Sequence, residues 1–153
     1  MKLEDELKSS KPLPVRQRAA LNILFTASWL DCIITRYLRP FGLTNPQYNI
    51  LRILNGSAPK GLSIFDIKER MLDRSSNVSR LVAKLEDHGL AERVNWEEDR
   101  RVVIVTISEK GKQLVKKVNI DALHAGTQAF GNQLSEEEAE QLGLLLDKFR
   151  IPS

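Results

Sequence analysis

The spacing of apolar residues changes along the chain from a helical pattern to an extended one, and the change falls at Gly89. Before this glycine, apolar residues recur at steps of three and four, which places them on one face of a helix. After it, residues 91–96 and 102–107 are predicted to form strands, since the second segment is rich in β-branched residues. A short charged link, residues 97–101, separates the strands, a spacing typical of a hairpin. The sequence therefore predicts a mainly α chain with one small β-hairpin.

Six helices are predicted around the hairpin, in the order α-α-α-α-β-β-α-α. Pro40 and Gly42 are expected to end the first helix near Leu38. Asn55 and Gly56 are expected to end the second. Five polar residues are predicted as the N-caps of the later helices, in chain order Thr44, Ser63, Ser75, Ser108 and Ser135.

The histidines and the single cysteine offer little for catalysis or metal binding. His88 and His124 lie far apart in the sequence, and with Cys32 they do not make the four nitrogen and sulfur ligands of a structural zinc site. Residues 126–131 have the glycine spacing of a phosphate-binding loop, but the Lys and Ser/Thr of such a loop do not follow them. We therefore predict that the protein is not an enzyme, with no catalytic residue, no metal site and no cofactor.

Charge and hydropathy bear on the location of the protein more than on its partner. The net charge of +3, from 23 Lys and Arg against 20 Asp and Glu, is too small to identify a nucleic-acid partner. The N-terminal residues are charged where a secretory signal needs an apolar stretch. The longest apolar runs are far below the roughly 20 residues of a membrane span. We expect a cytoplasmic protein with no membrane partner.

The fourth helix is predicted to have two different faces. Val78, Val82 and Leu85 lie on one face at helical spacing and are expected to face the core. The opposite face carries short polar side chains followed by cations, which suit the base edges of a DNA major groove. A polar helix face taken alone is more typical of a solvated surface. The candidate DNA-binding residues on this helix are Ser75, Ser76, Asn77, Ser79, Arg80 and Lys84.

The predicted hairpin tip carries Asp99, Arg100 and Arg101. A carboxylate beside two guanidiniums can hold one Arg extended toward a narrow minor groove while the other meets phosphate. A solvated turn would more often contain Gly, Asn or Pro. A short helix, a turn, a second helix and a charged hairpin thus follow one another over residues 63–106. This is the layout of a winged helix-turn-helix, and it predicts double-stranded DNA as the partner.

Three segments of the chain resemble the MarR family of bacterial and archaeal regulators, namely residues 43–51, 77–90 and 98–108, with Lys110 and Gly111 after the last. The likeness extends over about residues 20–150. It implies a single MarR-like chain over residues 1–153. Within this chain, the resemblance implies a winged helix-turn-helix DNA-binding region over residues 44–107 and a helical dimerisation region over residues 14–42 and 108–150.

The resemblance also implies how such a chain works. Members of the family are homodimers that bind palindromic operators, and many bind a small effector between the dimerisation region and the DNA-binding region. Arg101 matches the arginine that enters the minor groove, and Asp99 matches the carboxylate that braces it. Arg100 matches a more variable basic position. The expected function is a sequence-specific transcriptional regulator, more often a repressor than an activator, that a small effector releases from DNA.

Three points stay open in the sequence. Cys32 lies late in the first helix, whereas peroxide-sensing members carry a cysteine near its start, so we expect a packed thiol. Trp29, Tyr37 and Tyr48 can line an effector pocket or belong to the core, and no effector-binding residue is assigned. The alternative function is a dimeric winged-helix interaction module with a protein partner and little DNA binding. The charged hairpin tip argues against that alternative.

Overall fold

The computed structural model describes residues 3–8, 12–95, 103–124 and 133–151. Within these ranges the chain is mainly helical, with one antiparallel pair of strands. The predicted fold class is confirmed, and a short N-terminal helix and a turn of 3-10 helix are added to the predicted elements. The elements are α1 (Leu3–Glu6), α2 (Val15–Leu38), the 3-10 helix η1 (Arg39–Phe41), α3 (Asn45–Ser57), α4 (Ile64–Arg70), α5 (Val78–Asp87), β1 (Ala91–Asn95), β2 (Val103–Ile107), α6 (Glu109–His124) and α7 (Glu136–Phe149).

The chain divides into two compact units, Met1–Asn45 and Pro46–Ser153. The longest element of the first unit is α2, which ends at Leu38 as predicted. Pro40 lies in the 3-10 helix that follows, where its missing N–H no longer interrupts an α-helix. Gly42 then ends that turn. The two residues predicted to stop the helix therefore do so.

Much of the surface of α2 is exposed, although the helix is rich in apolar residues. Val15, Leu24 and Trp29 are 85%, 67% and 41% exposed. The expectation of a packed thiol at Cys32 is wrong for this chain, because Cys32 lies on the exposed part of the helix. The apolar side chains of α2 are thus only partly covered within the described chain.

The second unit has an apolar core contributed by α3 to α6 and by β2. Its helices follow the predicted periodicity, which places their inward side chains three and four positions apart. Burying one such aliphatic side chain contributes about 1.5–3 kcal/mol. The fully buried side chains of this unit include Ile50, Leu51, Leu54, Ile67, Val82, Leu85, Val105 and Val118.

Three of the predicted N-caps are confirmed by their hydrogen bonds. The Ser63 hydroxyl accepts the backbone N–H of Asp66 (3.1 Å) at the start of α4. The Ser108 hydroxyl accepts the backbone N–H of Gly111 (3.0 Å) at the start of α6. Ser135 forms a reciprocal capping box at the start of α7. Each cap satisfies a backbone donor that the first helical turn leaves without an intrahelical partner.

The second predicted helix is longer than the sequence analysis expected. Asn55 and Gly56 both remain helical, and α3 ends at Ser57. A glycine ends a helix where it takes the left-handed conformation, and Gly56 is helical instead. The Ser57 hydroxyl donates to the Ile53 carbonyl (2.9 Å) in the last turn. The predicted end at Asn55 and Gly56 is therefore wrong by one to two residues.

The hairpin is anchored to the core through β2. β1 and β2 pair antiparallel, with Arg93 opposite Val105 at the centre of the register. On the other side of β2, the backbone of Leu62 exchanges two hydrogen bonds with Val105, at 3.0 and 2.8 Å. Gly61 precedes this bridge with a φ of +72°, and a Cβ there would lie 2.6 Å from the Val105 carbonyl oxygen. The predicted strand ends at residues 96 and 102 lie outside the described residues.

The last helix, α7, is exposed along almost all of its length. None of its residues is buried, although Leu144, Leu145 and Phe149 are apolar and 64%, 65% and 58% exposed. A helix of this length is marginally stable in water without packing. The apolar side chains of α7 are therefore expected to pack against a surface beyond the described contacts.

Candidate nucleic-acid interface

The helix α5 has the two faces that the sequence predicts. Val78 and Val82 are buried, and α5 contacts α4 within the second unit. Ser79, Arg80 and Lys84 are exposed. The apolar face thus fixes the helix in the core, while short polar and cationic side chains remain at the surface.

The start of α5 differs from the prediction. Asn77 is the N-cap, and its side-chain oxygen accepts the Arg80 backbone N–H (3.1 Å). The prediction of Ser75 as the cap is wrong, because the Ser75 hydroxyl is held by Asp73 two residues earlier. The cap uses the oxygen of the Asn77 amide and leaves its two N–H donors for another partner. Asn77 therefore combines a structural role with a candidate base contact.

Asp73 organises the turn before α5; the sequence indicates a turn at residues 73–75 but does not assign the Asp73 carboxylate this role. One carboxylate oxygen accepts the Ser75 backbone N–H (2.9 Å) and the Ser75 hydroxyl (2.6 Å), and the other accepts the Ser76 hydroxyl (2.9 Å). The Ser75 hydroxyl above all, then the Ser75 N–H and the Ser76 hydroxyl, hold the pKa of Asp73 below its ordinary value of 3.8. An Asp two residues before a Ser is typical of an Asx turn, and this local signal could have identified it.

The hydroxyl hydrogens of Ser75 and Ser76 therefore point toward Asp73. Each oxygen keeps lone pairs that can accept a hydrogen bond from the amino group of a base. A DNA phosphate only accepts hydrogen bonds, so these serines would have to leave Asp73 to contact it. In this conformation the two hydroxyl oxygens act as acceptors toward a further partner, and their contacts with DNA stay predictions.

Arg80 and Lys84 provide the positive charge of the exposed face. Within the described part of the chain neither side chain forms an ion pair, so both cations are available to a ligand. Arg presents two parallel N–H donors that match guanine O6 and N7. Lys presents a compact charge that suits a phosphate oxygen.

The C-terminal end of α5 forms a Schellman motif, as predicted. Gly89 has a φ of +67°, and its N–H donates to the Glu86 carbonyl (2.8 Å). The Leu90 N–H donates to the Leu85 carbonyl (2.8 Å). The Ser108 hydroxyl then donates to the Gly89 carbonyl (2.7 Å). This turn joins the end of α5 to the start of the hairpin and to α6.

Arg93 on β1 lies against α5, a contact that the sequence analysis also missed. Its guanidinium forms an ion pair with Glu86 (Nη1–Oε2 2.7 Å) and donates to the Ser79 carbonyl (3.4 Å). Its backbone N–H donates to Glu86 Oε1 (3.2 Å). Hydrophobic periodicity gives no signal for these contacts, because they cross from a helix to a strand around a turn.

The candidate residues of the hairpin tip, Asp99, Arg100 and Arg101, lie outside the described residues. β1 ends at Asn95 and β2 begins at Val103, and these two residues are partners in the register. The three candidates stand in the segment of sequence between those paired ends. Their roles in DNA binding stay predictions.

Among the residues that the structure describes, no three His, Cys, Asp or Glu side chains come together in a way that could hold a metal ion. No helix in the described ranges combines the length and the apolar character needed to cross a membrane. Burial raises the pKa of Tyr48, against the opposing charge and hydrogen bond of Arg52.

Comparison with known proteins gives a consistent result. A family model described as MarR family matches residues 41–102. The HTH-type transcriptional regulator YfiV of Bacillus subtilis is 35% identical over 74 residues. These residues are 48% of this chain and 45% of YfiV, so the match spans less than half of that relative. YkoM, an HTH-type transcriptional regulator of the same organism, is 33% identical over 113 residues, 73% of this chain and 71% of that protein. The HTH-type transcriptional repressor IacR of Pseudomonas putida is 25% identical over 130 residues, 80% of this chain and 76% of that protein.

Solved structures extend the similarity to the fold. The MepR–DNA complex of Staphylococcus aureus has a TM-score of 0.71 and 26% identity, and covers 85% of this chain and 94% of that chain. AbsC, a MarR family transcriptional regulator of Streptomyces coelicolor, has a TM-score of 0.74 and 26% identity, and covers 92% of this chain and 95% of that chain. These similarities include the helical elements outside the family-model match.

The family match covers the segment in which α4, its turn and the two-faced α5 lead into the hairpin. The similarity to YkoM extends beyond this segment and covers 73% of the chain. These relatives are named as transcriptional regulators and none is named as an enzyme, in agreement with the prediction from the sequence. The chain therefore belongs to the MarR family of winged helix-turn-helix, DNA-binding transcriptional regulators.

Proposed function

We propose that this chain represses transcription by binding a palindromic DNA operator as a homodimer, and that a small effector releases it. The observation that carries the proposal is the exposed polar and cationic face of α5, opposite the face buried in the core. Similarity to the repressor IacR supports repression. Similarity to MepR, solved with DNA, supports a duplex partner. The cytoplasmic location expected from the sequence stays a prediction.

In the proposed complex, α5 lies in the major groove with its N-terminal end toward the bases. Arg80 donates two hydrogen bonds to a guanine, and Asn77 donates from its amide nitrogen. Lys84, one turn later, meets a phosphate. The remaining candidates are the three serines Ser75, Ser76 and Ser79.

The hairpin is the second proposed contact. Arg101 enters the adjacent minor groove, Asp99 holds it extended, and Arg100 meets the DNA backbone. A minor groove about 6 Å wide admits an extended guanidinium more readily than a folded one. The anchoring of β2 to Leu62 and to the core supports this role, because it provides a fixed base for the hairpin.

The proposed dimer is built by residues 14–42 and 108–150, with residues 44–107 as the DNA-binding region. Its support is the apolar surface that α2 and α7 leave exposed. Removing such surface from water contributes about 25 cal/mol for each Å² buried, and a stable interface buries roughly 800 Å² on each partner. The exposed apolar residues of these two helices are Val15, Leu24, Phe25, Trp29, Leu142, Leu144, Leu145 and Phe149.

Effector release has less structural support than DNA binding. Trp29 is exposed, while Tyr37 and Tyr48 are half-buried. Tyr37 packs against Phe41 with ring centroids 5.9 Å apart, a contact that fits a helical core and the wall of a pocket equally. We therefore assign no effector-binding residue.

Selection of bound sequences from a random pool of duplex DNA tests the proposal. We expect an enriched palindrome whose half-site centres are about one helical turn, roughly 34–36 Å, apart. Sedimentation of the purified complex should give two chains for each palindrome. A monomer that enriches no sequence would overturn the proposal, and capture of a protein partner by that monomer would favour the interaction module.

Two substitutions of one residue separate base recognition from charge. Arg80→Ala should relax base preference at one position of each half-site and cost about 1–3 kcal/mol of binding free energy. Arg80→Lys keeps the charge but loses the paired donors, so it should relax the same base preference and leave the salt dependence of binding unchanged. If Arg80→Lys binds like the wild type, Arg80 contacts phosphate and not a base.

A further inference from the structure

We propose that Arg93 is a positioning residue for DNA binding, which fixes the orientation of the hairpin relative to α5. The inference rests on the proposed function, in which α5 and the hairpin tip contact the same DNA. Arg93 itself belongs to neither set of candidate DNA contacts. Its role is to hold the two sets at a constant spacing, so that both reach their grooves at once.

The contacts of Arg93 span two turns of α5. Its guanidinium reaches the Ser79 carbonyl near the start of the helix (3.4 Å) and the Glu86 carboxylate near the end (2.7 Å). These two helix residues are seven positions apart, which is about 10 Å along the axis. Both contacts meet at the one guanidinium group, and together with the Arg93 backbone N–H they attach the strand to α5 through three hydrogen-bonding groups, which resists rotation better than a single contact.

Glu86 binds the backbone of Arg93 as well as its side chain. Its Oε1 accepts the Arg93 backbone N–H (3.2 Å), while its Oε2 pairs with the guanidinium. The strand itself is thus attached to the helix, and not only a flexible side chain. The two side chains are 36% and 24% exposed, so solvent screens this pair only in part.

The strand β1 needs such an attachment because the core holds little of it. Only Ala91 of β1 is buried, and the next four residues are exposed. β2, in contrast, buries Ile104, Val105 and Ile107. Apart from pairing with β2, β1 also contacts α5, and the hydrogen bonds and ion pair of Arg93 are among these contacts.

The position of Arg93 in the register strengthens the inference. Arg93 is opposite Val105, the residue that Leu62 bridges from the other side of β2. At this one level the hairpin is therefore fixed on both sides, by Leu62 and by α5. Asp99 and Arg101 follow Arg93 by six and eight residues in the sequence, so a rotation of the hairpin base would displace the tip.

A double-mutant cycle between Arg93→Ala and Arg101→Ala, measured as affinity for the selected palindrome, tests the proposal. Arg93→Ala should weaken binding about tenfold, the loss of one well-placed contact. Arg101→Ala should weaken binding of the wild type but have almost no further effect in the Arg93→Ala background, because the tip is no longer held in its groove. Arg80→Ala is the matched control and should cost the same factor in both backgrounds.

Additive effects of Arg93→Ala and Arg101→Ala, within a factor of about two, would overturn the positioning role. A wild type without affinity for the palindrome would overturn the proposed function itself, whereas an Arg101→Ala variant that binds like the wild type would overturn the hairpin contact and with it the positioning role of Arg93. If Arg93 only stabilises the fold, Arg93→Ala should lower the thermal midpoint of the protein, and its effect on DNA affinity should add to that of Arg101→Ala.

A second pair of variants covers the case in which Arg93→Ala does not fold. Glu86→Gln keeps an acceptor for the backbone N–H but removes the ion pair, so it should weaken binding by a smaller factor, about threefold. The exchanged pair Glu86→Arg with Arg93→Glu should recover part of the affinity that Arg93→Glu alone loses. If the exchanged pair binds no better than Arg93→Glu alone, the ion pair does not position the hairpin.

Discussion

Gly111 offers a test of how closely α6 packs on the turn between α5 and β1. A Cβ at this position would lie 2.2 Å from the Leu90 carbonyl oxygen and 2.8 Å from Ile107 Cγ1. Replacing Gly by Ala inside a helix normally stabilises it by about 1 kcal/mol. Here the obstacle is a backbone carbonyl, which places the over-packing cost near the upper end of its usual range, about 3 kcal/mol. The expected net effect of Gly111→Ala is therefore a loss of about 2 kcal/mol.

Urea unfolding followed by far-ultraviolet circular dichroism measures this loss. The protein concentration is kept fixed, because the stability of the proposed dimer depends on the concentration of the chain. For a chain of this length, the loss corresponds to a fall of about 4–8 °C in Tm. The matched control is Gly56→Ala in α3, where nothing lies within 4 Å of the added Cβ. This control should gain about 0.5–1 kcal/mol. A Gly111→Ala variant as stable as the wild type would refute the close packing described for α6.

Three further predictions concern the turn before α5, the last helix and the hairpin tip. Asp73→Asn should lower stability at neutral pH. Because the pKa of Asp73 is depressed in the folded state, the carboxylate stabilises the fold above pH 3.8, and this contribution is lost as the pH falls through the lower folded pKa. The difference in urea midpoint between wild type and variant should therefore close in acid and not widen. Ser135→Ala removes the capping box of α7 and should cost about 1 kcal/mol, with faster amide hydrogen exchange in its first turn. Arg101→Ala should lower DNA affinity more than Arg100→Ala, and Asp99→Ala should also weaken binding although it removes a negative charge. Stronger binding by Asp99→Ala would rule out the bracing role, and an unchanged Tm would show that folding is not affected.

Features set by a few neighbouring residues could be predicted from the sequence. The caps at Ser63, Ser108 and Ser135 depend on a hydroxyl and a backbone N–H three residues later, and all three are confirmed. The end of α5 at Gly89 depends on a left-handed glycine followed by an apolar residue, and it is confirmed too. Local chemistry determines these structures with little help from the rest of the chain.

Features that depend on competition or on distant contacts could not be predicted in the same way. Ser75 has the chemistry of an N-cap, but Asp73 binds its hydroxyl and the cap passes to Asn77. The contacts of Arg93 with α5 depend on the angle of the turn between helix and strand, which periodicity does not encode. Cys32 was expected to be packed because free cysteines usually are, yet it lies on an exposed surface of α2.

The salt dependence of binding to the selected palindrome and to a scrambled duplex of equal length and composition tests the central claim most directly. A sequence-specific DNA-binding regulator should lose affinity for both duplexes as salt rises, because each Lys or Arg contact with phosphate releases counterions. At every salt concentration the palindrome should remain tighter by a factor of about 10³ or more. Equal affinity for the two duplexes, or binding that does not respond to salt, would contradict the claim that the exposed face of α5 recognises DNA sequence.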